Sequence, residues 1–278
     1  MPANRVVLAI LLSAMLCLSG PAVAEAPQPE SETTETDNDQ VGDNSPLAIN
    51  EPMYYVVGGS GDTKARFQLS LKYRIFDPEG IVSRNLPLFK QLHASYTQTS
   101  LWNLEAEDRP FEDSSYRPGV FWEFSRVNPG LAPDFLRVGF EHESNGSAEE
   151  RARSVNTVFV LPAWTLTVFD RDLVLAPKLY AYTSLEDENE DIADFRGYAD
   201  YALRYGRERG EQIQLMYRRG RASRETWQID LSVPVRRSVF DRTGGYLYLQ
   251  AFKGYGESLL VYDERRDWQV RLGFAVVR

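Results

Sequence analysis

Phe67-Gln68-Leu69-Ser70-Leu71-Lys72-Tyr73-Arg74-Ile75 alternates without a break: every odd position is apolar and every even one polar. Successive side chains of a strand point to opposite faces, so this stretch has one oily face and one wet face. The pattern recurs to the C-terminus. Trp164, Leu166 and Val168 alternate with Thr165 and Thr167, Tyr246 to Phe252 reads the same way, and Trp268, Val270, Leu272, Phe274 and Val276 share a face. Clusters rich in Gly, Asp and Arg separate the runs, among them Arg207-Glu208-Arg209-Gly210 and Asp241-Arg242-Thr243-Gly244-Gly245. No capped segment with 3.6-residue spacing stands out. The reading is an all-β chain of roughly a dozen antiparallel strands.

Two architectures accept such strands. In a soluble sandwich the apolar faces meet in a shared core. In a transmembrane antiparallel β-barrel they face lipid and the polar faces fill the interior. Gln68, Ser70, Lys72, Arg74, Gln269 and Arg271 would burden a sandwich only if they faced its core, so alternation alone does not choose. The 15 Tyr and 14 Phe, many near strand ends, suit the aromatic girdles of a barrel. The C-terminus Val276-Val277-Arg278 lacks the terminal aromatic common in outer-membrane strands. A mean hydropathy of −0.40 looks soluble, but alternating strands dilute that signal.

The N-terminus points to export. Arg5, the apolar run Val6 to Leu18 and Ala22-Val23-Ala24 read as a secretory signal peptide over residues 1–24. The run is too short for a membrane-spanning helix, which needs about 20 apolar residues. Cys17 raises a lipoprotein alternative, against which Leu16 stands where a small residue is expected. Cys17 is the only cysteine, so the mature chain has no thiol or disulfide. Residues 25–51 carry eight acids and no Lys or Arg, and too few large apolar groups to offset the entropy of ordering. They are expected to be disordered. Setting these acids and Arg5 aside changes the net charge from −9 to −2 for the barrel candidate, residues 52–278. A nucleic-acid partner is not expected.

Histidine is scarce, with only His93 and His142. His142 lies in Val138-Gly139-Phe140-Glu141-His142-Glu143-Ser144-Asn145-Gly146. A spacing of two puts His142 and Ser144 on the face that also carries Val138 and Phe140. In a barrel that face meets lipid, where a polar pair is costly and suggests function. An antiparallel return after the loop 145–153 brings Asn156 opposite His142. Ser, His and Asn then supply a nucleophile, a base and a group that orients the imidazole. The turn at Asn145-Gly146 offers backbone N–H groups for an oxyanion. A plain strand end entering a hairpin explains the same residues equally well.

Ser95-Tyr96-Thr97-Gln98 with Trp102, Pro110-Phe111, Tyr116-Arg117-Pro118 and His142-Glu143-Ser144-Asn145-Gly146 with Ser154 and Asn156 form an ordered set of motifs. Asp191-Ile192 with Gly197-Tyr198, and Gly254-Tyr255-Gly256-Glu257-Ser258-Leu259, extend it. With these, the chain from about Phe67 onward resembles the outer membrane phospholipase A family. The resemblance implies a 12-stranded barrel that hydrolyses phospholipid acyl esters and is activated by calcium-dependent homodimerisation. Position by position it implies Ser144 as nucleophile, His142 as base, Asn156 as its partner, and the N–H groups of Ser144 and Gly146 as oxyanion hole. Calcium ligands would fall on Ser147, Ala152 and, from the opposing subunit, Asp108. Ala152 lacks the side-chain oxygen the family places there, and a hard cation needs oxygen. Asp108, Glu149 or Glu150 could compensate.

Weaker patterns are read as solvated turns: the loose phosphate-loop likeness of Gly58 to Lys64, and the EF-hand-like start Asp187 to Asp191. The run Tyr217-Arg218-Arg219-Gly220-Arg221 suits a wet loop or the lumen. Two rival functions remain, a non-enzymatic outer-membrane barrel and a secreted lipid- or protein-binding sandwich.

Overall fold

The computed structural model describes residues 45–107, 111–125, 132–185, 187–235 and 245–278. The expected signal peptide, and most of the acidic segment, lie outside them. Thirteen strand segments follow in order: β1 (Leu47–Ile49), β2 (Met53–Gly58), β3 (Lys64–Arg74), β4 (Leu92–Asn103), β5 (Phe111–Ser125), β6 (Phe135–Ser144), β7 (Ser154–Val168), β8 (Arg171–Leu185), β9 (Ala199–Gly206), β10 (Gln212–Arg219), β11 (Glu225–Pro234), β12 (Tyr246–Gly254) and β13 (Arg266–Val277). From β2 onward each pairs antiparallel with the next, and β13 returns to β2, with Leu272 opposite Val57. β1 and β2 both pair with β3 and are one strand interrupted near Pro52, which has no N–H for the ladder. The result is a closed barrel of twelve strands. The sandwich alternative is thereby set aside.

The alternation decides the radial order. Leu69, Tyr73, Val270, Leu272, Phe274 and Val276 are exposed on the outer wall. Ser70, Gln269 and Arg271 are buried within. No helix among the described residues is long and apolar enough to cross a membrane. Two single-turn helices, α1 (Ile81–Asn85) and α2 (Ile192–Arg196), escaped the sequence reading because five residues are too few for a helical period.

Inside, charges are paired across strands. Arg137 on β6 donates to Glu123 on β5 at 2.6 Å, and Lys72 on β3 reaches the same carboxylate. Arg218 on β10 makes a two-pronged bond to Asp200 on β9 at 2.6 and 2.8 Å, so that part of the Arg-rich run lines the lumen. Lys178 on β8 bonds Glu141 on β6. A cavity of about 680 Å³ runs between them.

The acidic segment needs one correction. Its last residues belong to the fold: β1 pairs with β3, and Glu51 accepts from Arg117 at 2.6 Å. Glu51 was read as one more tail acid, but the interior arginine across the lumen gives its charge a partner. Past the other end of the chain's last strand, Arg278 stands where a terminal aromatic was missed. Its guanidinium lies 3.8 Å over the Tyr246 ring and donates to Ser232 Oγ at 2.6 Å.

The first described strand, β1, and the end of β13 lie toward one rim. At the opposite rim, Ile192 and Phe195 of α2 pack with Val155, Leu259 and Tyr262 into a small apolar cap. Beneath it, Glu257 from the β12–β13 loop accepts from Arg271 at 2.6 Å, with both side chains at most 1% exposed. Glu257→Ala strands the guanidinium without its carboxylate and is expected to cost about 3–5 kcal/mol. Replacing both with apolar groups, Glu257→Leu with Arg271→Met, should recover most of that loss. Urea unfolding in detergent micelles, followed by tryptophan fluorescence, checks this; equal destabilisation by both variants would contradict it.

Candidate active site

β6 carries the site to the rim opposite the end of β13. Its Arg137, Glu141 and Glu143 face the lumen, so Val138, Phe140, His142 and Ser144 face out. β7 returns with the register expected from the sequence: Ser144 opposite Ser154 and His142 opposite Asn156. Across that pair, His142 Nδ1 lies 2.9 Å from Asn156 Oδ1. An amide oxygen only accepts, so Nδ1 carries the proton and donates it, leaving Nε2 as the basic nitrogen. On its other side, the β5–β6 ladder lapses between Tyr116 and Gly119, where Pro118 has no N–H to give. His142 and Ser144 are both partly exposed, as groups that must meet a ligand require.

The loop after Ser144 is built around Asn145, which is buried. Asn145 Nδ2 donates to Arg151 O at 2.8 Å, and its Oδ1 accepts from the N–H groups of Arg153 and Ser147 at 3.0 and 3.2 Å. Gly146 then takes φ of 65°, and a Cβ there would come within 3.1 Å of the Tyr116 ring. Only glycine adopts that turn without strain. The Gly146 N–H donates to no backbone carbonyl among the described residues and is available to an oxyanion.

Support comes from behind. Glu143 accepts from Ser115 Oγ at 2.7 Å and from Arg196 of α2 at 3.0 Å. Burial alone would lower the Arg196 pKa, but the Glu143 carboxylate outweighs it and raises it. The pair therefore stays charged and ties β6 to β5 and to the rim cap. Asn189, fully buried, donates to Ser154 O at 3.0 Å and accepts from Ser154 N–H at 3.1 Å. It extends the sheet past the end of β7. The sequence reading missed Asn189, dismissing its stretch as a turn, and treated Asn145 only as a turn residue. A buried amide that caps a distant backbone leaves no local pattern. His93, the second histidine, stacks on Phe121 inside the barrel at 5.7 Å, remote from Ser144.

The family description of phospholipase A1 matches residues 29–276. The chain belongs to the phospholipase A1 family. Phospholipase A1 of Salmonella typhimurium is 30% identical over 223 residues, which is 77% of this chain and 69% of that protein. The Escherichia coli K12 enzyme matches to the same extent. Among solved structures, outer membrane phospholipase A from E. coli superposes with a TM-score of 0.68, covering 87% of this chain and 93% of that one at 23% identity. The Salmonella typhi outer membrane phospholipase dimer with bound calcium also reaches 0.68, over 82% of this chain and 91% of that one at 23% identity. The barrel has the fold of these outer membrane phospholipases.

The calcium expectation meets a harder test. Asp108 lies outside the described residues. Ala152 offers only its carbonyl, which already accepts from Arg153 Nη1 at 2.8 Å. Ser147 sits two residues beyond Asn145 with a hydroxyl and a carbonyl. Among the described residues, no three His, Cys, Asp or Glu side chains gather. Of the 6–8 oxygens of a calcium shell, the expected positions among the described residues offer only those of Ser147 and the carbonyl of Ala152.

Asn189→Ala should loosen residues 145–154 without opening the barrel. Hydrogen–deuterium exchange of that segment is expected to rise while heat-modifiable migration on a gel stays unchanged. Unaltered exchange would mean that Asn189 does not hold the loop.

Proposed function

We propose that this chain hydrolyses acyl esters of membrane phospholipids with Ser144 as nucleophile. The observation that carries the reading is the Nδ1-to-Asn156 hydrogen bond of His142, made on the lipid-facing wall two residues from Ser144. A polar set on that wall is costly unless lipid is what it acts on.

Ser144 Oγ attacks the ester carbonyl while His142 Nε2 takes its proton. Asn156 holds the imidazole in the tautomer that leaves Nε2 free, and steadies the imidazolium that forms. The N–H groups of Ser144 and Gly146 receive the oxyanion, each donor worth about 3–4 kcal/mol in such sites. Collapse breaks the ester C–O bond, and His142 returns the proton to the departing lysophospholipid. Water, deprotonated by His142, then cleaves the acyl-Ser144 ester and frees the fatty acid. The acyl chain remains along the apolar wall, where Phe140 and Val120 are exposed.

Homodimerisation and calcium activation extend this proposal. A second copy would supply the rest of the acyl groove and Asp108 as an oxygen ligand. Because the described loop does not fit the ion alone, no step above runs through it. Acyl position, covering phospholipase A1, A2 and lysophospholipase activities, is left to product analysis.

Fatty-acid release from phospholipid–detergent micelles tests the reading. The native chain should release fatty acid, and Ser144→Ala should lower the rate by at least about 10⁴-fold. A folded native barrel that releases none would return the chain to the non-enzymatic alternative. Ala152→Ser adds a side-chain oxygen and is expected to shift the calcium titration of release to lower calcium. Superimposable titrations would show that position 152 takes no part in the metal response.

A further inference from the structure

On the barrel wall four to six strands from β6, the segments β10 to β13 enclose a groove of about 600 Å³. Its lower part is apolar, lined by Leu215, Ile229, Trp227 and Trp268. Its upper part gathers three cations from three elements: Lys253 on β12, Arg224 from the β10–β11 loop and Arg265 from the β12–β13 loop. The level is set by aromatic rings on the same wall. Tyr217 packs on Trp227 at 4.4 Å and on Tyr201 at 6.4 Å, an interfacial girdle at head-group depth.

Lys253 is the anomaly. It sits on the outer wall opposite Trp227, among rings and aliphatic chains, where a cation is costly. Its ammonium lies 5.7 Å from the Trp268 ring, and no carboxylate among the described residues stands within salt-bridge distance. Arg224 lies 3.8 Å over the Phe195 ring, again without an acid. Arg265 reaches only Asp267 at 4.0 Å, and both are exposed. The one acid lining the groove, Glu225, accepts from Tyr217 Oη at 3.1 Å. The groove is thus an apolar slot beneath three cations, with Glu225 the one acid of its lining and Asp267 beside Arg265.

We propose that it binds a phosphate-monoester lipid of the outer leaflet, of the lipid A class, with an acyl chain in the slot and phosphate among Lys253, Arg224 and Arg265. Three cations converging from separate elements suit a phosphate monoester, which carries about −1.5 to −2 charge near pH 7, better than a singly charged phosphodiester. Bound there, the lipid fixes the depth and tilt of the barrel from the side away from Ser144. It takes no part in the chemistry.

Native mass spectrometry of the detergent-solubilised full chain tests this, in a Ser144→Ala background so that no comparison lipid is hydrolysed. Lipid A should be retained, and phosphatidylglycerol of matched concentration much less. The Lys253→Gln/Arg265→Gln variant should bind lipid A about 30-fold more weakly, from two basic residues removed at an anionic surface. Lys253→Arg, which keeps the charge, should retain it. Heat-modifiable migration confirms that each variant folds; should the double variant not fold, Lys253→Gln alone is expected to lose about fivefold. Equal retention of lipid A by native and Gln variants, or equal retention of lipid A and phosphatidylglycerol, would overturn the proposal.

Discussion

A barrel wall in lipid has no water to satisfy its backbone, so every N–H and C=O must be paired within the sheet. The closing of β13 onto β2 meets that demand, because it leaves no free edge. All else follows from this ring. Apolar side chains go out to lipid, and what remains must fill the inside. Hence the interior mixes paired charges with buried aromatic clusters such as Phe121, Phe159 and Tyr180. Arg271 with Glu257, Arg218 with Asp200 and Arg137 with Glu123 each join separate parts of the chain. Such pairs add little over an apolar filling, but losing one member is costly, which fixes the register of the strands they join.

The proposed active site is a local exception to the same rule. His142, Ser144 and Asn156 are polar on the outer face, at the rim where the strands leave the membrane. Three features offset the cost of placing them there. Asn156 satisfies Nδ1, Asn145 folds the adjoining loop back on itself, and Glu143 with Arg196 braces β6 from the lumen. The wall supplies the acyl-chain environment, and the rim supplies water for the second half of the reaction.

The basic groove on β10 to β13 follows the same reasoning in reverse. Lys253 on the outer wall has no carboxylate partner among the described residues, as the lumen cations do, so its partner is sought in the membrane. On the two proposals together, one barrel would meet lipid in two ways, as a substrate beside Ser144 and as a fixed neighbour four to six strands away.

What the sequence determined by itself is whatever repeats locally. The alternation from Phe67 to Ile75 assigns inside and outside along β3, the two-residue spacing puts His142 with Ser144, and the length of the 145–153 loop sets Asn156 opposite His142. These depend on the strand period, which is written in neighbouring residues. What only the tertiary structure decided is whatever joins distant positions. That β13 closes on β2, that Glu257 reaches down to Arg271, that Asn189 completes the end of β7, and that Glu51 belongs to the lumen rather than the acidic tail are all contacts without a period. Each is set by which side chain meets which after closure, and no short stretch of sequence records that.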